Sequence, residues 1–162
     1  MSRKYLNERW CVRCGKMDPT PFLKEMYTKH MKVRVDPSLK VLDIGCGNGR
    51  NSKYFYGADV KPIDMATDYG DKCILGKDKL PGEEYDVILA NYVLMFLNEK
   101  ERKQVIKEID RHSCEGTRLV LEMYAAKDAH PYNWKDLITI FKDMGWGTIV
   151  NRKDHALLIK YS

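Results

Sequence analysis

The sequence lacks any long hydrophobic run: no segment approaches the ~18 consecutive apolar residues of a membrane-spanning helix. Its opening, Met1-Ser2-Arg3-Lys4-Tyr5-Leu6, lacks the apolar block of a secretion signal. Cysteine is sparse and odd in number, five at irregular spacings, which excludes a simple disulfide framework and makes a reducing cytoplasm the expected compartment. Charge of one sign is not gathered anywhere. Lys and Arg number 28 against 23 Asp and Glu, and the net charge of +5 is interleaved along the chain, so an anionic partner is permitted but not demanded. Repeats and low-complexity stretches are also missing. What remains is an ordinary globular composition, 44% apolar and 31% charged, in 162 residues. That length reads as one domain able to bury a real core, residues 1–162, with 1–39 as a helical cap or lid and 40–162 as the core.

From residue 40 onward, strand-like and helix-like patterns alternate. Before that point, Thr20 caps a helix with Pro21 in its first turn and Phe22, Leu23, Met26, Tyr27 and Met31 at helical spacing. Strands are expected at Val41–Ile44, Val60–Ile63, near Cys73–Leu75, at Asp86–Ala90 and at Thr117–Met123, with a short helix over Asn48–Phe55. Asn98 and Glu101 form a capping-box pattern ahead of a helix whose apolar face is Val105, Ile106 and Ile109. Its basic residues Lys100, Arg102, Lys103, Lys107 and Arg111 alternate with acids and read as a solvated face. Asn133 caps a last helix with Gly145 past its end, and a hairpin around residues 151–154 closes the chain. Such alternation specifies an α/β domain with a mainly parallel sheet and an antiparallel final strand.

Glycine is concentrated in one place. "DIGCGNG" puts Gly45, Gly47 and Gly49 within five residues, directly behind the first strand. In a sheet of this kind ligands bind beyond the carboxyl ends of the strands. Gly45 then permits a sharp turn, Gly47 lets a ligand approach the backbone, and Gly49 allows the following helix to pack closely. The amides opening that helix would favour a negative group. A nucleotide phosphate loop would need Gly-Lys-Ser/Thr, whereas Gly49 is followed by Arg50-Asn51. A dinucleotide fingerprint has G-x-G-x-x-G spacing, whereas here it is G-x-G-x-G with Asp43 in front. Asp64, nineteen residues past Gly45, stands at the end of the second strand, where a carboxylate can accept from ribose hydroxyls. A purely structural loop is the bland alternative.

The run Val41-Leu42-Asp43-Ile44-Gly45-Cys46-Gly47-Asn48-Gly49 resembles the first motif of the class I S-adenosylmethionine-dependent methyltransferases. "GADVKPID" (57–64), "EYDVILANYVLMFL" (84–97) and "GTRLVLEM" (116–123) are similar to their second, fourth and fifth strands. The resemblance implies a Rossmann-like fold: a mostly parallel seven-stranded sheet with helices on both faces and a C-terminal antiparallel hairpin. It implies S-adenosyl-L-methionine as cofactor, with Asp43, Gly45, Cys46 and Gly47 bordering its methionine part and Asp64 on the ribose. Asp78 is the nearest carboxylate to the adenine position, and Asn91 and Tyr92 flank the sulfonium and the incoming substrate as candidate catalytic residues.

The residues just after the fourth strand narrow the acceptor. Asn91-Tyr92-Val93-Leu94 lacks the Pro-Pro of enzymes that methylate exocyclic base amines and the Pro-Cys of cytosine C5 enzymes. "YVLMFL" (92–97) and "ERWCVRCGKMDPTPFL" (8–23) are similar instead to small-molecule methyltransferases of the tellurite-resistance and thiopurine type. That similarity implies Arg9, Trp10 and Phe22 as lid or substrate residues, with core packing the alternative for Trp10 and Phe22. The segment from Gly76 to Glu84 is too short for a full crossover helix, so the pocket is expected to be open, to take a large acceptor or to be completed by a partner. Cys11-Val12-Arg13-Cys14 has no second pair to complete a zinc site, and no metal is expected. Glu122 and Tyr124 end the fifth strand, facing the pocket, the surface or the core. A small soluble acceptor is favoured. RNA or protein methylation, and a non-catalytic cofactor-binding subunit, remain the alternatives, and the oligomeric state is left open.

Overall fold

The structure, a computed structural model, describes residues 18–66 and 69–161. Seven strands, β1 (Lys40–Ile44), β2 (Asp59–Asp64), β3 (Asp71–Lys72), β4 (Tyr85–Asn91), β5 (Ser113–Glu122), β6 (Trp146–Arg152) and β7 (His155–Lys160), form one sheet. Their order is β3-β2-β1-β4-β5-β7-β6, parallel from β3 through β5, with β7 antiparallel between β5 and β6. The helices are α1 (Pro21–Met26), continued by a wider π turn over Tyr27–Met31, then α2 (Arg50–Tyr54), α3 (Glu99–Arg111) and α4 (Trp134–Asp143). No helix among the described residues is long and apolar enough to cross a membrane.

Side-chain alternation sorts the core into two layers. Ile88 and Ala90 of β4 and Leu119 and Leu121 of β5 face Val105, Ile106 and Ile109 of α3 and Leu137, Ile138 and Phe141 of α4. Val87, Leu89 and Val120 face the other way, onto Phe22, Leu23 and Met26 of α1. The capping box at Asn98 and Glu101 forms with both reciprocal bonds, and Thr20 caps α1 through a bond from the Leu23 amide. Several boundaries differ from the sequence pattern, and two of them lie next to the glycine loop and the second strand. The third strand forms at Asp71–Lys72, where it pairs with Ile63 and Asp64, while Cys73 and Leu75 turn into the core. The helix after the glycine loop begins only at Arg50, because Gly49 sits at φ 83° and breaks its first turn. No helix lies between β3 and β4, as the short spacing requires.

Arg102 corrects the expectation of a solvated basic face on α3. Its side chain is buried and donates to the carbonyls of Leu94 at 3.1 Å and Leu97 at 3.0 Å, and more weakly to Pro131 and His130. Arg102→Met is expected to destabilise the domain by about 2–3 kcal/mol, since the carbonyls it serves lose their charged donor. Urea denaturation checks this, and an unmoved midpoint would remove Arg102 from the framework.

Asp43 ties β1 to α2 by accepting a 2.5 Å bond from the Ser52 hydroxyl. Burial pushes its carboxyl up to about 7, opposed by the Ser52 bond and helped by the Asp64 charge. The folded state therefore holds this proton more tightly than the unfolded chain, whose value is 3.8. The stability it contributes is full below about pH 4, falls as pH rises to about 7 and is constant beyond. Asp43→Asn keeps an acceptor for Ser52 and loses this dependence. The stability of the variant relative to the parent should grow by a few kcal/mol between about pH 4 and pH 8. Denaturation curves across that range test it, and a constant difference would contradict it.

Candidate active site

A cavity opens at the carboxyl ends of β1, β2 and β4. Its wall is the glycine loop from Gly45 to Asn48 with Arg50 and Asn51, then Asp64 and Met65, Leu75, and the turn Asn91–Val93 with Phe96. The three glycines differ in what surrounds them. A Cβ on Gly45 (φ 69°) would lie 2.6 Å from the Val93 side chain, and one on Gly49 (φ 83°) 2.3 Å from the Tyr69 ring. A Cβ on Gly47 (φ 56°) would meet nothing within 4 Å. The loop is thus packed at both ends and bare in the middle. Gly49 makes room for Tyr69, whose ring also carries Lys53 Nζ 4.9 Å from its centroid.

The amides of the loop are already engaged. Gly45 and Cys46 both donate to Ile63 O, at 2.9 and 3.0 Å, and Gly49 donates to Cys46 O. Gly47 N donates to Asp64 Oδ2 at 3.0 Å, while Ala66 N donates to Asp64 Oδ1 at 2.8 Å. Arg50 N turns to Asn48 Oδ1, and α2 is only five residues long. The expected anion-attracting helix opening is weak here: its first amide is spent on Asn48 and its dipole is short.

Beside the cavity lies a buried polar cluster. Glu122, at the end of β5, is fully inaccessible. Its Oε2 accepts from the Thr20 hydroxyl at 2.5 Å and from Asn91 Nδ2. Its Oε1 and Asn91 Oδ1 have no hydrogen-bond partner among the described residues. Thr20 N donates to Asn51 Oδ1, which links α1 to the cavity wall. Tyr92 takes a left-handed backbone, φ 57°, and its amide donates to Glu122 O at 2.7 Å. Its hydroxyl lies 3.3 Å from His155 Nε2. Burial first, then the Glu122 charge, raise the Tyr92 phenol well above its ordinary value.

Gly45, Cys46, Gly47, Asp64, Asn91 and Tyr92 thus converge on one cavity. Asp43 lies beneath the loop and is not part of the wall. Asp78 is not part of the wall, and its carboxylate accepts from Ile74 N at 2.7 Å. Phe22 is buried against His155, ring centroids 5.2 Å apart, and does not line the cavity. Arg9, Trp10, Cys11 and Cys14 lie outside the described residues. No group of three or more His, Cys, Asp or Glu among the described residues is placed to hold a metal ion. Sequence reasoning left Glu122 undecided and missed Thr20, Asn51 and His155. The available signal was a lone acid closing the otherwise apolar run "LVLEM" (119–123).

Comparison with known proteins agrees with this geometry. A family described as a methyltransferase domain matches residues 42–121. A mitochondrial ubiquinone biosynthesis O-methyltransferase of Candida albicans is 30% identical over 131 residues, covering 76% of this chain and 39% of that protein. The chain therefore spans about two fifths of that curated relative's length. Among solved structures, a TehB-like S-adenosylmethionine-dependent methyltransferase of Corynebacterium glutamicum aligns with a TM-score of 0.69 at 20% identity, covering 99% of this chain and 98% of that one. A 1,6-didemethyltoxoflavin N1-methyltransferase of Burkholderia thailandensis, with bound 1,6-didemethyltoxoflavin and S-adenosylhomocysteine, gives 0.69 at 18% identity, covering 99% and 87%. Motif, strand order and matched region agree: residues 42–121 carry a methyltransferase domain, on the fold shared with these S-adenosylmethionine-dependent methyltransferases.

Proposed function

We propose that this chain catalyses methyl transfer to a small soluble acceptor, and that the bare backbone at Gly47 is where the cofactor enters. That bare position carries the reading, because it leaves space for a ligand directly against the main chain between two packed glycines. The residues present suit this cofactor, which has no phosphate and needs none of the amide donors that the loop has already used. Gly45, Cys46 and Gly47 would border its methionine part, Asp64 its ribose hydroxyls, and Met65 and Leu75 offer an apolar wall where Asp78 is absent. When bound, the cofactor supplies a methyl group already activated on a cationic sulfonium.

The work left to the chain is positioning and exclusion of water. Asn91 and Tyr92, on the turn that closes the cavity, hold the reacting region, and Val93 and Phe96 keep it apolar. Asp43 acts behind the wall by fixing α2 through Ser52. A small acceptor is supported by the interleaved charge and by the toxoflavin precursor that the Burkholderia relative binds. The free thiols of Cys73 and Cys114 suit a reducing cytoplasm. The missing helix between β3 and β4 favours a second reading, a larger RNA or protein acceptor, which salt-sensitive binding would identify.

Calorimetric titration with S-adenosylmethionine and S-adenosylhomocysteine tests the proposal, followed by an acceptor screen that measures release of the demethylated cofactor. Micromolar binding of both is expected. Gly47→Ala should fold with a loss of about 1 kcal/mol, from its positive φ, yet bind at least ~10-fold more weakly. Asp64→Ala should weaken binding by a similar factor. Unchanged affinity in both variants would refute the placement, and bound cofactor without turnover on any acceptor would favour a non-catalytic subunit.

A further inference from the structure

We propose that Tyr92, His155 and Glu122 form a proton-accepting chain at the cavity wall, and that the acceptor is consequently a protic group, a hydroxyl or an N–H. The inference rests on the methyl-transfer reading above and names the chemistry of its acceptor.

The partners fix where the protons sit. His155 Nδ1 lies 3.1 Å from Lys153 O, and a carbonyl only accepts, so the neutral ring carries its proton on Nδ1. Nε2 is left with a lone pair, 3.3 Å from the Tyr92 hydroxyl, which therefore donates to it. Glu122 Oε1 lies 3.6 Å from Nε2 without a hydrogen-bond partner among the described residues, and the same carboxylate also faces the Tyr92 hydroxyl, so it borders both members of the pair. A buried carboxylate oxygen beside a lone pair is an arrangement completed by one event, the arrival of a proton on that nitrogen. The other charges around the ring are already engaged. Arg152 is paired with Glu25 at 2.7 and 2.8 Å, and Asp154 accepts from the Tyr132 hydroxyl at 3.1 Å. Lys153 is exposed, and Arg50 acts on the Tyr92 phenol from the glycine-loop side. Phe22 fills the remaining ring edge.

Tyr92 is the member that reaches the cavity. Its left-handed backbone costs on the order of 1–2 kcal/mol in a residue with a Cβ, a cost held in place by its amide bond to Glu122 O. Burial and the Glu122 charge disfavour a tyrosinate, so the phenol can take a proton only while it gives one up. In the transfer, a lone pair of the acceptor atom forms the new bond to carbon, and the pair of the broken carbon–sulfur bond stays on sulfur. The acceptor's proton passes to Tyr92 Oη, leaving its bonding pair on the acceptor, and the proton of Tyr92 passes to His155 Nε2. Nothing is oxidised or reduced, Tyr92 ends neutral, and the imidazolium stands next to Glu122. His155 and Glu122 are positioning residues acting through Tyr92.

Imidazole nitrogen NMR on the full chain decides the first half. The Nδ1–H tautomer is expected in the parent protein, with an Nε2 resonance that moves toward the free lone-pair position in Tyr92→Phe. An Nε2–H tautomer, or an Nε2 signal unmoved in Tyr92→Phe, overturns the proposal whether or not any acceptor is known. Methyl transfer to a series of substituted phenols reads the second half. Tyr92→Phe and His155→Gln should lower kcat about 10²-fold for cresol with KM nearly constant, and much less for a nitrophenol already ionised at pH 8. Equal losses on both phenols would mean a structural role and would overturn the chain. If no phenol reacts, the tautomer and the Tyr92→Phe shift decide. Loss of cofactor binding in the parent would instead remove the methyl-transfer reading and this inference with it, whereas an Nε2–H tautomer with binding intact removes this inference alone.

Discussion

Burial of the Glu122 carboxylate governs how the site is assembled. A charge with no access to solvent must be met by donors from nearby, and the chain supplies them from separate elements: the Thr20 hydroxyl at the start of α1 and the Asn91 amide at the end of β4. Thr20 then reaches Asn51 through its own amide, so the cap residue of α1 is fixed to the glycine-loop side as well. One buried acid in this way sets where α1 sits, how β4 ends and which way Tyr92 must turn. Apolar burial makes the two layers stable, but it is indifferent to a shift of a few ångströms along the sheet. The polar cluster is not.

The glycine loop solves a separate problem, that of letting a strand end approach a ligand without collapsing into the space. Val93 fills the gap at Gly45 and Tyr69 the gap at Gly49. Between them, Asp64 holds the Gly47 amide from below and so keeps the exposed peptide in one orientation. The loop is shaped by its neighbours as much as by its own φ angles. That division of labour explains why α2 can be as short as five residues: it closes the turn and does not have to bind charge.

Much of this is legible in the sequence, and for identifiable reasons. Short apolar runs with β-branched residues mark β1, β4 and β5, the capping pattern marks α3, and the acid–glycine spacing points to the cavity. The features that escape are those whose meaning depends on distant partners. Arg102 reads as one more surface cation on a charged helix, and only the carbonyls of Leu94 and Leu97 show why it is buried. His155 is an isolated histidine at a hairpin until β7 pairs Cα to Cα with Glu122 on β5. Asp78 has a place in the sequence that suits a ligand contact, but it stands outside the cavity wall, bonded to the Ile74 amide.

Arg102 also has a dynamic consequence. Its guanidinium bonds to the turn after β4 and to the segment around Pro131, and His130 N adds a 2.8 Å bond to Met95 O between the same two segments. Two loops stitched at several points fluctuate as one body, and they open together or not at all. The turn bearing Tyr92 therefore cannot be displaced alone to admit a ligand.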